Sequence, residues 1–239
     1  MTMKMKCLKA IAYKERIAVR RNIKSLLFII VVFGIILLAT SVSKCNTFLN
    51  AGVTDLKPLL MGSVSYVSMF LSYVAFMSTL KFWQEKSMDA LDSLFSLPMS
   101  IRQVLTAKVM FSVYIGLLCF VPSYMISTLV FVVAFKAFAF SAVHFLAALV
   151  ISMIFQFSYG VINGFCMWQL SVGAAKVAQI FTYVIFLGGI ISLNRCMTPE
   201  GIQMNVVYML CSALVLLIVG AVYALVLTNK EKIILNHID

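Results

Sequence analysis

Six uninterrupted apolar stretches, at 25–42, 59–80, 109–135, 144–168, 177–193 and 206–227, contain no Asp, Glu, Lys or Arg. A helix needs about 20 such residues to cross the hydrocarbon core, where only helices and closed barrels can satisfy their own backbone. Barrel strands would alternate over about 10 residues, and these long, uniform runs do not. The pattern predicts an all-α integral membrane protein with six transmembrane helices. Composition agrees: 63% of the residues are apolar and 11% charged, and the mean hydropathy is +1.05, which leaves too few polar residues to coat a soluble domain. The fifth stretch is the shortest, and Gly188-Gly189 interrupts it.

Lys and Arg set the orientation. Eight precede residue 25, four lie in 81–108, and Lys176, Lys230 and Lys232 follow, so 15 of the 19 fall on one side if both termini are cytoplasmic. Only Lys44, Lys57, Lys136 and Arg195 are left for the outer loops. This positive-inside bias accounts for the net charge of +11 without a nucleic-acid partner. Trp83 and Trp168 fall at the inner ends of the second and fourth spans, where an aromatic belt would place them. A cleavable signal peptide competes for the first stretch at Ala39-Thr40-Ser41, but the 24-residue basic lead and the length of the run favour a retained span. Cys119, Cys166 and Cys211 lie within spans and Cys7 is cytoplasmic, so there is no disulfide framework. Cys45 and Cys196 share the outer side, and one disulfide between them stays open.

Residues 1–24 form a segment of their own before a membrane domain at 25–239. Wound as a helix, Leu8, Ile11, Ala12, Ala18, Val19 and Ile23 gather on one face, with Lys9, Lys14, Arg16, Arg20, Arg21 and Lys24 opposite. Glu15 breaks the apolar face, and Tyr13 and Ile17 break the basic one. Such a helix lies in the membrane surface with its cations toward anionic headgroups. A disordered basic tail that merely enforces topology is the other reading.

The spans lack the ionisable groups that ion-driven transporters use as coupling sites. They also lack a carboxylate pair or histidine cluster for hydrolysis, since the histidines are His144 and His237. The sequence therefore predicts neither an enzyme nor a metal site, and uphill transport would need an external motor.

The cytoplasmic loop at 81–108 has the features of a docking element. Met88, Leu91, Leu94 and Phe95 recur at helical spacing, Glu85, Asp89 and Asp92 form an acidic stripe, and Pro98 ends the helix. Ser100-Ile101-Arg102-Gln103 then reads as a capping box that starts the third span. A helix held beneath the membrane in this way suits a groove on a cytoplasmic partner; resting on the bilayer is the competing reading.

The run from Glu85 to Ser100, continuing to Lys108, resembles the signature of type-2 ABC exporter permeases, roughly E-(R/K)-x-x-G-T-L-E-x-L-(L/F)-x-x-P-(L/V)-S with a Lys at the start of the third span. Glu85, Leu91, Asp92 in place of Glu, Leu94, Phe95, Pro98, Ser100 and Lys108 match in register, whereas Asp89-Ala90 replaces the Gly-Thr pair. The six-span layout and the amphipathic lead extend the resemblance over essentially the whole chain. It implies a coupling helix at 85–97, with Glu85, Met88, Asp89, Leu91, Asp92, Leu94, Phe95 and Pro98 meeting an ATPase subunit, and a shorter contact at 169–176. It also implies a homodimer of permeases served by two ATPase subunits in a bacterial plasma membrane. No G-x-x-x-x-G-K-(S/T) loop is present, so ATP and Mg would belong to the separate ATPase subunit and this chain would bind no cofactor itself.

In that family the second and fifth spans face the dimer axis. This nominates Ser65, Tyr66, Ser68, Ser72 and Tyr73, with Gln179, Thr182, Tyr183 and Phe186, for substrate contact. Ser152, Gln156, Tyr159 and Asn163 share a side of the fourth span with Gly160 and Gly164, a spacing that suits close helix packing or a translocation surface. Pro122 predicts a kink in the third span. Residues 194–205 read either as an outer re-entrant hairpin or as a loop. An uncharged pathway suits an amphipathic or hydrophobic cargo, first a peptide toxin or antimicrobial peptide, then lipid, glycolipid or drug. A non-transporting immunity or scaffold membrane protein is the reading from a different class.

Overall fold

A computed structural model describes residues 3–53, 55–82, 85, 100–138, 140–171, 173–174, 177, 180 and 215. Five helices account for almost all of the described residues: α1 (Met3–Arg21), α2 (Ile23–Asn50), α3 (Lys57–Thr79), α4 (Ile101–Phe135) and α5 (Ala142–Gln169), and no strand occurs among them. The helices α2 to α5 are long and apolar enough to cross a membrane. They contain the first four stretches anticipated from hydropathy, except that α3 ends one residue early, with Leu80 as its C-cap. The fifth and sixth, at 177–193 and 206–227, lie outside the described residues apart from single positions, as do residues 194–205.

Each helix ends for a local reason. Helix α2 stops where Gly52 takes φ of 82°, a conformation an L side chain resists, and Pro58 sits in the first turn of α3. Helix α4 begins at the anticipated capping box: the Ser100 hydroxyl accepts from the Gln103 N–H at 3.4 Å, and the Gln103 side chain accepts from the Ser100 N–H at 3.3 Å. Its 35 residues reach about 52 Å at 1.5 Å per residue, well beyond a hydrocarbon core of about 30 Å. The helix is therefore longer than the apolar layer is thick, and it runs unbroken through Pro122, which is exposed.

Helix α3 is the axle of the bundle. It makes its largest contact with α4 and also packs on α2 and α5. Two apolar clusters result. One, at the basic end, joins Ile11 of α1 to Phe76, Phe82, Leu105, Val109, Tyr159 and Trp168. The other joins Leu37 and Cys45 of α2 to Leu60, Val67, Phe120, Tyr124 and Phe131. Trp168 points inward: it is fully buried, edge-on to Phe82 at 5.5 Å.

The glycine pair of α5 serves packing. A Cβ on Gly160 would stand 2.6 Å from a Val109 methyl, and one on Gly164 would overlap Leu105 and approach Phe82 to 2.8 Å. The small residues thus let α5 approach α4 and the end of α3 closely.

Candidate functional site

Helix α1 lies against α4 at its basic end, and its buried stripe is not the one the helical wheel suggests. Ile11 and Glu15 are buried, Ala18 and Val19 are half-buried, and Ala12 and Ile23 are exposed. The residue that spoils the apolar face is thus among those that face inward. Its partner explains why: the Lys108 ammonium lies 3.1 Å from the Glu15 carboxylate.

Lys108 also pairs with the Glu85 carboxylate, and Lys14 reaches the same oxygen of Glu85 from 3.4 Å. Phe82 presents its ring to the Lys108 ammonium at 5.5 Å to the centroid. Lys108, Glu15 and Glu85 are 3%, 6% and 7% exposed, whereas the Lys14 side chain is about half in solvent at 48%. Three buried charges and one half-exposed charge therefore balance.

Each member is positioned by a different element. Lys108 lies in the second turn of α4, about 10 Å along the helix at 1.5 Å per residue. Glu85 is held by one helical turn after α3, its N–H donating to the Lys81 carbonyl at 3.1 Å. Glu15 and Lys14 come from the surface helix. The cluster thus ties α1, the residues after α3 and the start of α4 to one ammonium.

Desolvating an ion costs several kcal/mol even after relaxation, so a buried lysine is tolerable only with close counter-charges. Removing it would strand two carboxylates. The members of the cluster cannot separate without exposing or orphaning charge.

A second polar cluster lies deeper and is neutral. The hydroxyls of Ser72 and Ser152 are 2.6 Å apart, and the Gln156 amide donates to both at 2.8 Å. Gly116 of α4 makes room for it, because a Cβ there would overlap the Gln156 amide oxygen and stand 2.9 Å from the Ser72 carbonyl oxygen. The cluster stitches α3 to α5, with α4 closed over it.

The nominated residues of the second span fall inside this bundle. Ser68, Ser72, Tyr66 and Tyr73 are buried and Ser65 half-buried. Ser68 donates to the Val64 carbonyl at 2.7 Å, and Tyr73 stacks edge-on against Tyr159 at 5.6 Å. A route along this face of α3 would require α4 or α5 to part from it. Of the nominated ATPase-contacting residues only Glu85 is described, and it faces Lys108; Met88, Asp89, Leu91, Asp92, Leu94, Phe95 and Pro98 lie outside the described residues. So do Gln179, Thr182, Tyr183, Phe186 and Cys196. Most of the segment 169–176 is described, with Gln169 buried. Among the described residues no group of three His, Cys, Asp or Glu side chains could hold a metal ion.

The pairing of Glu15 with Lys108 was missed from sequence, though a signal existed: a lone acid on the apolar face of an otherwise basic helix asks for a buried cation. No protein-family model, curated protein or solved structure matches the chain.

Proposed function

We propose that this chain is the permease subunit of an ATP-driven exporter, with six crossings, both termini cytoplasmic, and the ATP hydrolysed by a separate subunit. The observation that carries this reading is the ion-pair joint at Lys108. Glu85 opens the segment at 85–97 that the signature assigns to coupling, and it is clamped to both the surface helix and the third span. An ATPase that displaced this segment would move α1 and α4 with it. The apolar stretches within α2 to α5, at 25–42, 59–80, 109–135 and 144–168, support a motor of this kind, because they carry no Asp, Glu, Lys or Arg to couple to an ion gradient. They also suit an amphipathic or hydrophobic cargo, with a peptide toxin or antimicrobial peptide as first choice.

The test is co-purification with an ATPase encoded beside this chain, followed by reconstitution into vesicles. Hydrolysis stimulated by a hydrophobic peptide is expected, and Asp92→Lys combined with Leu94→Asp should abolish the stimulation while leaving the permease folded. Glu85 is a poor choice for that substitution, since Glu85→Lys would set two lysines against each other in the interior. Stimulation that survives the double change sinks the coupling assignment. An immunity or scaffold protein would bind the same partner without any ATP-dependent movement of cargo.

A further inference from the structure

We infer that the wedge between the α1–α2 elbow and the end of α3 binds one anionic phospholipid, with its phosphate at Lys81. Helix α2 buries Gly34, Leu37, Ser41 and Cys45 but nothing nearer its start. It meets α3 where Gly34 faces Leu71 and where the Phe33 and Phe70 rings meet, tilted, at 6.2 Å. On the basic side of that contact the two helices part, and a cavity of about 270 Å³ opens between them, lined by Asn22, Ser25, Leu26, Ile29, Ser78 and Lys81 among others.

The lining is sorted by polarity. Lys81 supplies the cation, no carboxylate lines the cavity among the described residues, and Arg20, Arg21 and Lys24 are exposed nearby on the elbow. The field at its mouth is therefore positive, which favours a phosphate. The hydroxyls of Ser78 and Thr79 already donate to the Ala75 and Phe76 carbonyls, at 2.8 and 2.7 Å. Their oxygens are left as acceptors, so the matching headgroup carries hydroxyl donors as well as a phosphate. Leu26 and Ile29 form the other wall and lead along α2 toward the apolar layer. A water-soluble anion would leave that wall uncovered, whereas an acyl chain covers it. Phosphate, headgroup hydroxyls and acyl chain together describe a lipid of the phosphatidylglycerol type.

This site does not rest on the exporter reading, since binding requires neither an ATPase nor a cargo. Full-length protein stripped of lipid in neutral detergent is mixed with phosphatidylglycerol or phosphatidylcholine, and bound lipid is counted by native mass spectrometry. Phosphatidylglycerol should be retained preferentially. Lys81→Gln should weaken its retention about fivefold, the contribution of one lysine near an anionic surface. Ser78→Trp, which fills the cavity, should remove it, while Lys57→Gln at the far end of α3 should change nothing. If the tryptophan variant loses its helical circular dichroism, the contrast of Lys81→Gln with Lys57→Gln decides alone. Equal retention of the two lipids, or equal effects of the two lysine changes, overturns the proposal. Displacement of phosphatidylglycerol by an equal concentration of inorganic phosphate would show a free-anion site and overturn it too.

Discussion

The bundle contains two buried polar clusters built on opposite principles. At the basic end, Lys108 holds two carboxylates from distant elements. Deeper in, Ser72, Ser152 and Gln156 hold α3 to α5 with neutral groups only. A buried charge pair adds little net stability when intact, because desolvation offsets the attraction, but it is costly when one partner is removed. Neutral hydrogen bonds between membrane helices are modest and fail more gently. The first kind joins α1, Glu85 and α4 at the basic end, and the second joins α3 to α5.

The sharpest way to break this contrast is at Lys108. Lys108→Met leaves Glu15 and Glu85 buried without a cation and should destabilise the protein by about 3–5 kcal/mol, read as a lowered thermal midpoint in detergent. Adding Glu15→Gln and Glu85→Gln should restore most of that loss. A single mutant as stable as wild type would mean that these charges are not buried together.

The neutral cluster is probed through its glycine. Gly116→Ala pushes a methyl against the Gln156 amide and the Ser72 carbonyl and should cost about 1–3 kcal/mol from overpacking. Most of the cost should be relieved by Gln156→Ala. Failure of that relief would show that the backbone contact, rather than the amide, sets the limit.

The smallest effect is expected at the half-exposed member of the charged cluster. Lys14→Gln should change stability by no more than about 1 kcal/mol, the range of solvent-screened pairs, and the change should fade in high salt. A loss as large as that of Lys108→Met would place Lys14 inside the joint instead of at its rim.

Several parts of this architecture could be read in advance because they depend on neighbours in sequence. Ser100 and Gln103 are three residues apart, and they form the reciprocal cap their spacing anticipates. Gly160 and Gly164 announce a close approach, although Val109 and Leu105 as the approaching residues could not be named. Glu15 looked like a flaw in an amphipathic helix because its counter-charge lies 93 positions later in the chain. The wheel also misjudged α1 for the same reason, since its buried stripe runs through Ile11 and Glu15 and Ala12 lies outward.

What the sequence determined alone is the all-α character and four helices long and apolar enough to cross a membrane, since in hydrocarbon so long an apolar run satisfies its backbone as a helix. It also determined that basic residues crowd one end. Only the tertiary structure decided which polar residues meet. Ser72 with Gln156, Lys108 with Glu15, and the parting of α2 from α3 beside Lys81 all depend on how the helices rotate and tilt against one another. Those angles are set by side-chain packing across the bundle, which no local window of sequence contains.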